Sequence, residues 1–262
     1  MAPEITPEGT PDTSEDAFLG GKLILQQPKS GYRAGLDAVF LAACVPIANG
    51  MPMTVLDVGA GVGTVGLCVA VRCAQADVTL LERDPRLVTI ARRNIRQMGA
   101  VDRTRIVAAS VGATAAQLTT LGLKDASFDH VAANPPFHAV GRGTSAPDAL
   151  KAASHAMPAD SLSEWIRFLA RMAKPGGTAT VIHKAEALPQ LLAAFAGRFG
   201  ALHVLPLHPR AGEPASRVIV QGIKGSRAPL VLCAGFVLHG EGNAFTPQAQ
   251  AVLRDGAVLL LR

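Results

Sequence analysis

From about residue 53 onward, short apolar runs alternate with stretches of helical spacing. Met53 to Val58 reads as a strand, broken by the glycines of 59–63. Thr64 to Ala74 follows with helical periodicity, then Asp77 to Leu81 as a second strand. Pro85 occupies a helix first turn, and the helix runs from Arg86 to Met98. Thr104 to Ala109 and Phe128 to Ala133 read as the third and fourth strands. The polar segment from His138 to Pro158 reads as a long loop. Asp160 and Ser161 are suited to cap a helix that continues to Met172. Thr178 to His183 is a fifth strand, and Ala185 to Phe199 a helix. Such alternation predicts an α/β fold, a parallel sheet with helices on both faces. The pattern then changes. Ala201 to Leu207, Arg217 to Ile223 and Leu230 to Leu238 read as strands with no helices between them, a hairpin-like ending.

Composition narrows this picture. The chain has 262 residues, 49% hydrophobic and 17% charged, enough to bury a large core and too few charges for global disorder. Residues 1–17 are rich in Pro, Glu and Thr and read as a disordered lead-in; residues 18–262 read as one domain, with 18–50 preceding the first sheet strand. No signal peptide is recognisable, and the apolar stretch from Leu36 to Ala48 is too short to span a bilayer and contains Asp37. Cys44, Cys68, Cys73 and Cys233 form no CxxC pair and no zinc-ligand spacing, so no metal is expected and the thiols are read as reduced, which implies the cytoplasm. The net charge of +5 is compatible with a nucleic-acid partner but also with an ordinary basic enzyme.

The chemistry begins at Val55-Leu56-Asp57-Val58-Gly59-Ala60-Gly61-Val62-Gly63. Gly59, Gly61 and Gly63 let the backbone approach a ligand without a Cβ clash, and a helix N-terminus follows directly. The spacing is GxGxG, unlike the GxGxxG of dinucleotide enzymes. Asp57 would repel a pyrophosphate but can accept hydrogen bonds from a cation such as an ammonium group. Glu82, at the tip of the next strand, is placed to accept both hydroxyls of a ribose. The runs LDVGAGVG and LLERD resemble those of class I S-adenosylmethionine-dependent methyltransferases. The resemblance implies a Rossmann-like, mostly parallel seven-stranded sheet with an antiparallel C-terminal hairpin, and S-adenosylmethionine as cofactor. Many such enzymes have an acidic residue after the third strand to meet the adenine amine. Here Ser110 stands in that region, and either its side chain or a backbone group would make the contact.

Asn134-Pro135-Pro136-Phe137 follows the fourth strand. The amine on a nucleobase is a poor nucleophile because its lone pair is delocalised into the ring. If the Asn134 side-chain carbonyl and the Pro135 main-chain carbonyl accept its two N–H groups, electron density shifts toward nitrogen. Proline stiffens the turn that holds these acceptors, and Phe137 can stack on the base. Enzymes with this motif act on adenine N6, on guanine N2 of ribosomal RNA, or on glutamine N5 of release factors.

The segment Gln27-Pro28-Lys29-Ser30-Gly31-Tyr32-Arg33-Ala34-Gly35-Leu36-Asp37-Ala38-Val39-Phe40-Leu41 resembles the opening of the bacterial tRNA (valine) adenine-N6 methyltransferase family. The resemblance spans about residues 20 to 225, and implies that this segment closes over the cofactor. Tyr32 would cover a ring, and Arg33 would pair with a carboxylate or phosphate. Asp37 would either cap the helix that follows or help hold the cofactor. His138, directly after Phe137, keeps the guanine-N2 reading open, and glutamine N5 ranks third. On the RNA side, Lys151, Arg210, Arg217 and Lys224 would meet phosphates, or else form a solvated basic surface. Trp165 is read as core. The partner implied is RNA, specifically tRNA, with the protein a monomer or homodimer.

Overall fold

A computed structural model describes residues 12–31, 33–46, 51–137 and 161–261. Its centre is a nine-stranded sheet. The first five strands to enter it are β3 (Met53–Val58), β4 (Ala76–Glu82), β5 (Thr104–Ala108), β6 (Phe128–Ala133) and β7 (Ala173–Lys184). β8 (Phe199–Arg210) and β9 (Arg217–Lys224) then form the antiparallel ending. The order β8-β9-β7-β6-β3-β4-β5 accounts for the seven expected strands; β3 to β7 run parallel and β9 enters antiparallel between β7 and β8.

The sheet is wider than the seven strands the resemblance implies, because the further stretch read as a strand from Leu230 to Leu238 joins it as two short ones. β10 (Val231–Leu232) and β11 (Phe236–His239) both pair with β8 in parallel. The break between them carries Gly235, where a Cβ would come within 2.4 Å of the His208 ring.

Strand alternation sorts the core. In β3, Met53 and Val55 join one apolar cluster, while Leu56 and Val58 join another on the opposite face. Asp57 and, in β4, Glu82 keep the parity of Val55 and Leu80, so both project to the first face. Helices α1 (Leu36–Ala43) and α2 (Thr64–Arg72) bury their apolar residues in the first cluster, and α3 (Pro85–Gln97) flanks the same face. In α3 an apolar stripe at 87, 88, 90, 91 and 95 is buried, and Asp84 caps it by accepting the Arg86 amide at 2.9 Å. The short α4 (Ala115–Thr120) starts on a capping box between Thr114 and Gln117. α5 (Ser161–Met172) and α6 (Leu188–Phe195) cover the second face. No helix among the described residues is long and apolar enough to cross a membrane.

The N-terminal region departs from expectation. β1 (Thr13–Phe18) pairs antiparallel with β2 (Leu23–Pro28), so the expected disordered lead-in to residue 17 overlaps a strand; residues 1–11 lie outside the described residues. β1 is polar and has little intrinsic strand character. It is held by its partner and by Arg33, which pairs with Asp16 and donates to Ser14 Oγ at 2.8 Å. The C-terminal stretch returns to brace this region. α7 (Pro247–Gln250) leads into a last turn, after which Leu259 N donates to Ala43 O at 2.9 Å. Lys22 Nζ donates to Asp255 O at 3.1 Å, and Arg72 Nε to Gly256 O at 3.0 Å.

Candidate active site

The carboxyl ends of β3 and β6 meet at a cleft. Its wall is formed by the glycine turn at 59–62, Asp57, Thr64, Val65, Leu87 and Asn134, closed by Gln27, Ala34 and Ala38 of the N-terminal segment. This is where an open α/β sheet binds its ligand.

The turn is shaped by its glycines. Gly59, Gly61 and Gly63 have φ of 70°, 59° and 94°. The Gly59 and Ala60 amides donate to Leu81 O at 2.8 and 3.0 Å, which folds the turn over the end of β4. A Cβ on Gly61 would meet nothing within 4 Å, so this part of the turn faces open space. A Cβ on Gly59 would lie 2.4 Å from Trp165 Cη2. Trp165, expected in the core, is half-buried against the second cluster and also covers the glycine turn.

Asp57 is 1% exposed, and its Oδ2 accepts the Gly66 amide at 2.9 Å. Gly63 offers no side chain to cap α2, so Asp57 does so from the strand below. Burial pushes its carboxyl up to about 7 from the usual 3.8, with the Glu82 charge adding to the rise and the Gly66 amide opposing it. Glu82 is 7% exposed. Its Oε2 accepts Gly61 N at 2.9 Å, and its Oε1 accepts Arg83 N and Asp84 N at 2.8 and 2.9 Å. These amides fix the carboxylate directly behind the turn.

The residues fit S-adenosylmethionine. A buried carboxyl poised near neutrality suits a cationic group. Thr64 Oγ1, buried in the cleft wall, has no hydrogen-bond partner among the described residues, and the open side of Gly61 leaves room for a ligand.

Asn134 follows directly on Ala133, which pairs with Val58, so the Asn134–Phe137 turn lies beside the glycine turn. Asn134 and Asp57 share one cleft. The Phe137 ring is met edge-on by His183 of β7, with centroids 5.0 Å apart and planes at 81°. Burial lowers the His183 pKa below its usual 6.5, and backbone groups of Pro136 and Lys184 beside the ring work the other way. The Arg217 guanidinium stands over the Phe137 ring, its Cζ 4.9 Å from the centroid.

Several predicted residues are placed otherwise. Asp37 neither caps α1, whose cap position is Gly35, nor lines the cleft; its Oδ2 accepts Arg217 Nε at 2.8 Å. Arg33 spends its guanidinium inside its own segment, on Asp16, Ser14 and Pro28 O. Ser110 Oγ accepts the Gly112 amide at 3.3 Å and does not reach the cleft wall. Arg210 holds the loop after β11, donating to Gly242 O at 2.6 Å and Asn243 Oδ1 at 3.1 Å. Lys224 is at the far end of β9, donating to Ala173 O at 2.7 Å, at the opposite end of the strands from Phe137. Tyr32, His138 and Lys151 lie outside the described residues.

Sequence reasoning also missed residues. Gln27 is buried in the cleft wall; it donates to Asp16 Oδ2 at 2.6 Å and accepts Ala34 N at 2.8 Å, which folds the segment into a wall. Asn94 of α3 is fully buried. It accepts Gln26 N at 2.8 Å and donates to Gln26 O at 3.1 Å and to Val62 O at 3.0 Å, tying β2 to the glycine turn. A polar residue inside the apolar stripe of α3 was the available signal.

Known proteins resemble this chain over most of its length. Residues 36–158 match the family described as Methyltransferase small domain. A tRNA1(Val) (adenine(37)-N6)-methyltransferase of Shewanella sp. (strain W3-18-1) is 30% identical over 217 residues, 83% of this chain and 82% of the relative. One of Bacteroides fragilis (strain YCH46) is 25% identical over 209 residues, 79% of this chain and 84% of the relative. Among solved structures, a protein of Agrobacterium tumefaciens titled a predicted O-methyltransferase superposes with a TM-score of 0.70 at 31% identity, covering 86% of this chain and 98% of that one. A geranyl diphosphate C-methyltransferase of Streptomyces coelicolor A3(2), solved with S-adenosyl-L-homocysteine, shares the fold at a TM-score of 0.51 and 14% identity, covering 71% of this chain and 74% of that one. On the strength of these relatives, this chain is an S-adenosylmethionine-dependent methyltransferase and belongs to the tRNA1(Val) (adenine(37)-N6)-methyltransferase family.

Proposed function

We propose that the protein methylates N6 of an adenine in tRNA, at the position its relatives are named for, and works in the cytoplasm. The observation that carries this reading is the shared cleft: Asn134 stands in one wall with Asp57 and the glycine turn, and Phe137 follows three residues on. Residues 18–50 act as the cover of a single catalytic domain, with Gln27, Ala34 and Ala38 as its inner surface.

When bound, S-adenosylmethionine supplies a methyl group activated by a sulfonium. The protein does the rest by placement. Asn134 and the Pro135 carbonyl take the two N–H groups of the amine, which returns lone-pair density to nitrogen. The prolines hold both acceptors in one geometry, so little reorganisation accompanies attack. The amine proton leaves to water after transfer, and no strong base is needed. Phe137 supplies a flat apolar surface for the base, pulled out of its stack. Asp57 holds the cofactor side by charge, and Glu82, outside the cleft wall, shapes the turn by accepting the Gly61 amide.

The test is mass spectrometry of nucleosides from tRNA incubated with the protein and S-adenosylmethionine. N6-methyladenosine is expected. Methyl transfer to guanine N2 or to a glutamine amide instead would overturn the adenine assignment. Asn134→Ala should abolish transfer while calorimetry still detects cofactor binding. Activity surviving that change would refute the acceptor mechanism.

A further inference from the structure

We infer that Arg217 is a positioning residue for the target base, acting through Phe137, and that Asp37 holds it in that role. This rests on Phe137 being the base platform. Asn134–Phe137 belongs to no helix or strand, so contacts, not a backbone ladder, fix the ring. Two contacts do so. His183 packs against the ring at close to a right angle, and the Arg217 guanidinium stands over one face with its Cζ 4.9 Å from the centroid. With one face taken, a base can stack only on the other.

The guanidinium is itself held. Its Nε donates to Asp37 Oδ2 at 2.8 Å and its Nη1 to Ser216 O at 3.1 Å. Arg217 and Asp37 side chains are 29% and 25% exposed, so the pair is partly desolvated and more persistent than a surface ion pair. Asp37 lies on α1, next to Ala38, which lines the cofactor cleft. The pair therefore links the wall on the cofactor side to the platform on the base side. Asp37 and Ser216 O engage Nε and Nη1, so the experiment must separate a role on the ring from a phosphate contact made by the rest of the guanidinium. A lysine could serve a phosphate but could not lie flat on a ring while donating sideways to a carboxylate.

The experiment compares Arg217→Lys, Arg217→Ala, Asp37→Asn and the double variant Asp37→Asn/Arg217→Ala in steady-state methylation of tRNA at several salt concentrations. Cofactor affinity by calorimetry confirms that each variant is folded. Positioning predicts that Arg217→Lys falls with Arg217→Ala, each losing about tenfold or more in kcat, as misplaced reactants do. It also predicts that the double variant is no worse than Arg217→Ala, and that the salt dependence of KM for tRNA is unchanged. The inference is overturned if Arg217→Lys stays near wild type while Arg217→Ala lowers the salt slope by about 1, the mark of a lost phosphate contact. A wild-type protein that makes no N6-methyladenosine in tRNA would instead remove the reading on which the inference rests.

Discussion

Replacing Asp57 with Asn should make the folded protein more stable at neutral pH and a worse enzyme. The side chain is fully buried, and burial raises its carboxyl to about 7 against 3.8 when solvated. Between those values the folded chain binds more protons than the unfolded one. Stability from this group is therefore greatest below about pH 4 and is lost as pH rises toward 7, the reverse of an ordinary paired carboxylate. Each pH step of one between the two values costs about 1.4 kcal/mol, so the penalty is about 2 kcal/mol at pH 5 and about 4 kcal/mol at pH 8. These are upper figures, because water and cofactor relieve a buried charge. Asn keeps an oxygen for the Gly66 amide and carries no charge. Urea unfolding of both proteins at pH 5 and pH 8 should show the stability advantage of Asp57→Asn growing by about 2 kcal/mol between them. An advantage equal at both pH values, or absent, would refute a strained buried acid at Asp57. The same change should weaken S-adenosylmethionine binding above pH 7, where the wild-type carboxylate is charged.

Two further outcomes follow from the cleft wall. Asn94→Ala leaves the Gln26 amide and the Val62 carbonyl without their partner, costing about 1–3 kcal/mol, and should raise the cofactor dissociation constant about tenfold with KM for tRNA little changed; equal losses on both sides would refute a cofactor-specific role. Gly59→Ala combines a φ of 70° with a Cβ 2.4 Å from Trp165, the single tryptophan of the chain, so its emission should shift to the red and cofactor binding weaken; an unchanged spectrum would mean the ring does not lie on the turn.

Local features were legible wherever a single short stretch carries its own physics. The stripe of α3 with Asp84 and Pro85 marks a helix and its start, and β3 running into three glycines marks the ligand turn. The polar run of β1 was illegible because its stability comes from β2 and Arg33. α4 was overlooked although Thr114 and Gln117 have capping-box spacing. Distance along the sheet misled most on the substrate side. Arg217 and Lys224 bound one strand, about 23 Å apart at strand rise, so they cannot serve the same nucleotide. The Asp37–Arg217 pair joins residues 180 positions apart, and no periodicity reports such a meeting.

The return of residues 251–259 to the N-terminal segment has a consequence for biosynthesis. Residues 13–43, which build one wall of the cleft, leave the ribosome ahead of the sheet. Their braces at Asp255, Gly256 and Leu259 emerge only after every strand of the sheet. The glycine turn and the Asn134–Phe137 turn can thus be assembled on a nascent chain before that wall is braced. The cleft wall contributed by the N-terminal segment is therefore the last part of the site to be fixed in place.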